Sequence, residues 1–181
     1  MRTGHIYRVT ARLRVRRTYP LAHFQAYPRK GGPVSVRAPL TLRVLKAAPT
    51  GSRNIQAIAL VNTGYEADRP ELIVPVGLAA RLGWWPTLPR DADEQVYSGL
   101  GGAFSVWRIE DALEVRVICP DRQTVETTTD AVVSHAEREV LISDALASAL
   151  SIEILDPRGG IWRLSDDPAG QRRAGEARQV W

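Results

Sequence analysis

From Ala57 to Val61 every side chain is apolar, and the run stops abruptly on Asn62-Thr63-Gly64. Successive side chains of an extended chain point to opposite faces. A strand over residues 54–61 that is apolar at every position after Gln56 therefore has to be buried on both faces. This one stretch rules out a chain that folds as a solvated hairpin. It calls for enough further strands to enclose it.

Those strands are legible on either side. Residues 5–17 alternate, with Tyr7, Val9, Ala11, Leu13 and Val15 on one face and Arg8, Thr10, Arg12, Arg14 and Arg16 on the other, the pattern of a half-buried strand with a basic outer face. Residues 18–33, with three prolines and two glycines, read as a loop. Alternation returns over 34–44, where Pro39 marks an edge position or a bulge. Residues 65–69 read as a polar loop and 70–76 as extended. Residues 76–82 predict a short helix closed by Gly83, followed by Trp84-Trp85 as an apolar plug over the core. Residues 95–109 flank a glycine-rich hairpin tip, Gly99-Leu100-Gly101-Gly102. Further strands are expected at 113–119, 124–133 and 140–142. Ser143 is a good N-cap for a helix from 144 to about 150. A final hairpin spans 152–164, and residues 165–181 read as a polar, frayed tail. The sum is a mainly β single domain: a closed or nearly closed barrel with one or two short helices over 1–164, including a basic N-terminal strand pair within 1–53.

Charge and rare residues narrow the function classes. No Asp or Glu precedes Glu66, while residues 1–65 hold 12 Arg or Lys, so the parts before and after that boundary carry +12 and −8. Such asymmetry fits either a surface for nucleic acid or an acidic partner, or two parts that neutralise each other on packing. The single cysteine, Cys119, excludes an internal disulfide and a cysteine-built metal site. His5, His23 and His135 have no ligand spacing, so no metal or cofactor is expected. No apolar run approaches the length of a membrane span, and no secretory signal is visible behind Arg2, which leads to a cytoplasmic expectation.

Taken singly, Asn-Thr-Gly is a common strand-ending turn, and Gly-Leu-Gly-Gly has no helix behind it to make a dinucleotide site. Their order is more specific. A buried strand running into Leu60-Val61-Asn62-Thr63-Gly64, then the hairpin Gly99-Leu100-Gly101-Gly102-Ala103-Phe104, then Val140-Leu141-Ile142-Ser143-Asp144-Ala145-Leu146, resembles the retropepsin-like aspartic peptidase family, in particular its prokaryotic members. The segment Pro75-Val76-Gly77-Leu78-Ala79-Ala80-Arg81-Leu82 and the closing Ile154-Leu155-Asp156-Pro157 and Gly160-Ile161-Trp162-Arg163 are similar to segments of that family. The resemblance covers about residues 54–164. It implies a homodimer acting on an extended peptide or protein substrate. Asn62, Thr63 and Gly64 would form the catalytic loop and Gly99, Leu100, Gly101 and Gly102 the flap, with no cofactor.

Two positions depart from the family pattern. Ser143 stands where a glycine is usual, a small residue that can also cap the helix. Asn62 stands where the family carries its catalytic Asp. Two such carboxyls about 3 Å apart cannot both ionise, so one serves as acid and the other as base on a shared water. An amide can do neither near neutral pH, and a symmetric dimer would lose both at once. The chain with Asn62 is therefore expected to be inactive, either because Asp was replaced by Asn or because it is a natural pseudo-peptidase that keeps the cleft for binding. The alternative function is a non-catalytic β-barrel module that contacts nucleic acid or an acidic partner through Arg8, Arg12, Arg14, Arg16, Arg37 and Arg43.

Overall fold

The computed structural model describes residues 35–46, 51, 53–99 and 102–181. The arginine-faced stretch 5–17 and the loop 18–33 lie outside them. The elements, in order, are β1 (Arg37–Val44), β2 (Asn54–Val61), β3 (Glu71–Pro75), α1 (Val76–Leu82), β4 (Asp93–Gly99), β5 (Gly102–Val117), β6 (Glu126–Ser134), β7 (Val140–Ile142), α2 (Asp144–Ala149), β8 (Ile152–Asp156), β9 (Ile161–Leu164) and β10 (Arg173–Ala174).

Seven strands join in the order β1-β2-β7-β3-β6-β5-β4, and β1 also pairs with β5. That second pairing closes six strands into a barrel, which removes their free edges. β4 remains outside the ring as the second arm of a hairpin on β5. β8, β9 and β10 form a separate three-stranded sheet.

The alternation on β1 is realised: Val36, Ala38, Leu40 and Leu42 fill the barrel. Pro39, expected at an edge or a bulge, pairs with Ile58 of β2 and lies just outside the β1–β5 ladder, which begins at Leu40. Its carbonyl accepts from the Ile118 N–H at 2.8 Å, just past the end of the β1–β5 ladder, where no donor is asked of its nitrogen. Arg37 and Arg43 point outward and pair with Glu139 and Glu114, and Lys46 pairs with Asp91. The described cations of the basic part are thus neutralised by carboxylates from the acidic part, Arg53 apart.

On β2, Ile55, Ala57, Ala59 and Val61 are buried in the main core, but Ile58 and Leu60 are only half-buried. The expectation of full burial on both faces is corrected to one buried face and one partly covered. Beyond the end of β7 the Ile58 N–H donates to the side-chain carbonyl of Gln179 at 2.7 Å, so the C-terminal segment stands in for the missing strand.

This segment corrects a second expectation. Residues 165–181 do not fray. Gly175 bonds to Gly160, Glu176 to Arg37 and Trp181 to Arg138 through their backbones, and Arg178 pairs with Glu139 at 2.7 Å. Gly77 of α1 lies so close to the Trp181 backbone that a β-carbon there would sit 2.8 Å from it. Asp167, buried, accepts from Arg173 and from the Leu164 N–H. Arg173 above all holds its carboxyl down at about 2, against an ordinary 3.8. A group with a lowered folded value stabilises fully above its ordinary value and loses that contribution as pH falls through the folded one. The β8–β10 sheet is therefore expected to loosen between about pH 3.8 and 2, before the barrel does. Hydrogen exchange at residues 161–174 compared with β2 and β6 checks this; simultaneous loss in both places would count against it.

A third correction concerns β5. The separate strands expected at 95–109 and 113–119 share one continuous 16-residue strand, β5. A register shift between Ile109 and Leu113, with Asp111 at φ +45°, bends it. Its first half makes the hairpin and its second half closes the barrel.

Trp84 plugs the core as the sequence suggests. It is fully buried, and its indole N–H donates to the Lys46 carbonyl at 3.1 Å. Trp85 is half-buried against Trp107 and His135. Trp84→Ala is expected to cost about 3–5 kcal/mol in a denaturant titration, from the cavity and the lost apolar burial. A change within about 0.5 kcal/mol would show that the plug is dispensable.

Candidate functional site

β2 and β7 run parallel, with Ala59, Leu60 and Val61 beside Val140, Leu141 and Ile142. Both strands end at the same level, so Asn62-Thr63-Gly64 leaves the barrel next to Ser143-Asp144. Asn62 folds its side chain back: Oδ1 accepts from the Gly64 N–H at 3.0 Å, and its carbonyl accepts from the Tyr65 N–H at 3.2 Å. This is the local turn that Asn and Asp both favour. Asn62 is half-buried, and Thr63 and Gly64 are exposed.

The chain after the turn is stitched to the start of α2. Ser143 Oγ accepts from Leu146 N–H, the N-cap bond, and from Glu71 N–H, each at 3.1 Å. The Ser143 N–H returns to the Glu71 carbonyl at 3.1 Å, and Asp144 N–H donates to the Tyr65 carbonyl at 3.0 Å. Asp144 Oδ1 accepts from Ala67 N–H at 3.0 Å. A glycine at 143 could supply neither hydroxyl bond, one capping α2 and the other holding the start of β3.

A buried polar group then ties this loop to the hairpin. Glu71 opens β3 and is 7% exposed. Its Oε2 accepts from the Tyr65 hydroxyl at 2.6 Å and the Tyr97 hydroxyl at 3.1 Å, and its Oε1 lies 3.5 Å from Arg108 Nε. Arg108 also donates to buried Asp130 at 3.0 Å, whose other oxygen accepts from the Asp111 N–H at 2.8 Å. Asp130 thus holds the bend of β5. Burial, and then the Glu71 carboxylate, push both phenols well above their ordinary range, so they remain hydrogen donors at any working pH. Apolar packing follows the same route: Tyr65, Ile73, Tyr97, Val106, Val132 and Leu141 form a second core, with Leu60, Ala67 and Phe104 against it. Beside this cluster opens a cleft of about 270 Å³, with buried Glu71 and Tyr97 and exposed Asp68 and Glu110 in its wall.

Of the residues singled out from sequence, Asn62, Thr63 and Gly64 share one turn. Gly99 and Gly102 close the β4–β5 ladder as partners, with Gly102 at φ +104°, a conformation natural to glycine. Leu100 and Gly101 lie outside the described residues. The structure brings the Asn62 loop and the base of the glycine hairpin together, and the link is Tyr65–Glu71–Tyr97. Sequence reasoning passed over Tyr65, Glu71, Tyr97, Arg108 and Asp130. The one available signal was a glutamate opening an otherwise apolar strand, Glu71 before Leu72-Ile73-Val74. Among the described residues no three His, Cys, Asp or Glu side chains group as metal ligands, and no helix is long and apolar enough to cross a membrane.

Fold and site together define a closed β-barrel with a flanking hairpin tied to a polar turn at the end of two parallel strands. Compared with known proteins, the chain matches no family model and shows no significant similarity to a characterised sequence.

Proposed function

We propose that this chain is a subunit of a homodimeric, retropepsin-like aspartic endopeptidase in an inactive Asn62 form, working in the cytoplasm. The observation that carries the reading is the common end of β2 and β7: Asn62-Thr63-Gly64 emerges there beside the capped start of α2, with the hairpin base packed on the loop. Two copies would set two residue-62 side chains face to face across a two-fold axis. With Asp there, one carboxyl would take a proton from water as it attacks the peptide carbonyl, and the other would give one to the product. Thr63 would bridge the two loops. The glycine hairpin would close over an extended peptide held by main-chain hydrogen bonds.

Asn62 already makes the Oδ1 bond to Gly64 that an aspartate would make, so Asp fits the turn without rebuilding it. The native coding sequence decides whether Asn62 replaced an Asp or is natural. The reading is tested by giving the Asn62→Asp variant an unfolded protein substrate while its oligomeric state is followed by sedimentation. A dimeric variant that cleaves nothing would end it. The nucleic-acid alternative gains no support on β1, where Arg37 and Arg43 are already paired with carboxylates.

A further inference from the structure

We infer that the cleft beside Glu71 is a side-chain subsite selective for an Arg or Lys of an extended peptide laid along β4; the inference deepens the peptide-cleft reading and rests on it. Among the described residues β4 bonds only to β5, so its other edge offers unpaired backbone groups to an incoming strand. Gln95 and Tyr97 of β4 lie in the wall of the cleft. A strand added at that edge therefore brings its alternate side chains to the opening.

The cleft's charge decides what it accepts. Its two arginines are already committed: Arg108 to Asp130 and Glu71, and Arg69 to Asp111 at 2.9 Å. Its exposed carboxylates are not. Asp68 makes no hydrogen bond or ion pair with a described residue, and Glu110 has only a 3.8 Å approach to Arg108. Asp93 and Glu94, exposed at the start of β4, add the same sign along the edge. A guanidinium or ammonium entering there finds Asp68, unpaired among the described residues, and Glu110, held only by the long approach to Arg108. A carboxylate finds repulsion, and an aliphatic chain gains only partial burial in an open, polar cleft.

The test uses three labelled peptides of one extended sequence, with arginine, norleucine or glutamate at the central position, titrated onto the full Asn62 chain by fluorescence anisotropy. The arginine peptide is expected to bind about tenfold tighter than the norleucine peptide, the size of two partly exposed charge pairs, with the gap narrowing as salt rises. The exposed double variant Asp68→Asn/Glu110→Gln should fold normally and remove that gap. Equal binding of arginine and norleucine, or a gap the double variant retains, overturns the inference. The same peptides offered to the Asn62→Asp variant separate the two claims. Cleavage without preference for the arginine peptide overturns the subsite and leaves the peptidase standing. Selective binding without any cleavage upholds the subsite and removes the peptidase.

Discussion

Replacing Asn62 by Asp is expected to switch on peptide-bond hydrolysis, by about 10²–10⁴-fold for each acid–base role regained. On the proposed reading the effect is large because a symmetric dimer would regain both carboxyls from one substitution. The folding cost should be small, since the Asn62 side chain already accepts from Gly64 through an oxygen that Asp also has. Activity should follow a bell in pH with its maximum on the acid side, because the pair works only when it holds one proton between its two members. The two limbs belong to the pair and not to either residue. A transition-state analogue of peptide hydrolysis should abolish cleavage, and a metal chelator should leave it unchanged. Hydrolysis that survives the analogue, or that the Asn62 chain shows equally, would point to a different centre or a contaminant.

Glu71→Ala is expected to be the most disruptive single change outside the apolar core. It leaves the Tyr65 and Tyr97 hydroxyls buried without their acceptor, at about 1–3 kcal/mol for each unpaired donor. It also strips Arg108 of one of its two buried carboxylates. The total, about 3 kcal/mol or more, is a large share of the 5–15 kcal/mol that holds a typical domain together. Glu71→Gln keeps an acceptor for the phenols and should cost less than half as much. Tyr97→Phe removes a donor together with its need and should cost about 1 kcal/mol. Urea titration ranks the three. Equal losses for Ala and Gln would mean that the charge beside Arg108, rather than the phenol bonds, is what Glu71 contributes. In amide exchange the Glu71→Ala variant should lose protection in β4 and the 62–67 loop together, because one carboxylate serves both.

The elements whose logic is local were legible in the chain. β2, α1 with Gly83 behind it, and β7 leading through Ser143 into α2 each rest on periodicity and on capping chemistry spelled out within a few residues. What escaped depends on partners far along the chain. Tyr65 sits in a stretch polar enough to read as solvent-exposed, and its burial is decided by Glu71 and by Tyr97 on another strand. Glu71 itself looks like the polar edge of a strand until Arg108 and the two phenols are brought to it. The continuity of β5 was hidden because its bend at Asp111 breaks the alternation; only the carboxylate of Asp130, on a neighbouring strand, explains why the chain turns there instead of ending. The C-terminal segment has no periodicity at all, and its order comes from the open N–H of Ile58 and the space beside Gly77. Asn62, Thr63 and Gly64 stand out in the sequence because their signal is one of order along the chain, which is visible without knowledge of any contact.

The parallel seam between β2 and β7 joins segments far apart in the chain. Val61 meets Ile142 across the hairpin and β6, which lie between them in the chain, and β1 is flanked by β2 and β5. Pairings between segments so distant in sequence make folding slow, because loop closure is paid before contacts return anything. A chain still emerging or half folded therefore carries Asn62-Thr63-Gly64 without the anchors that Ser143 and Asp144 give the residues after it. Whatever that loop does, it does only once the last third of the chain has arrived.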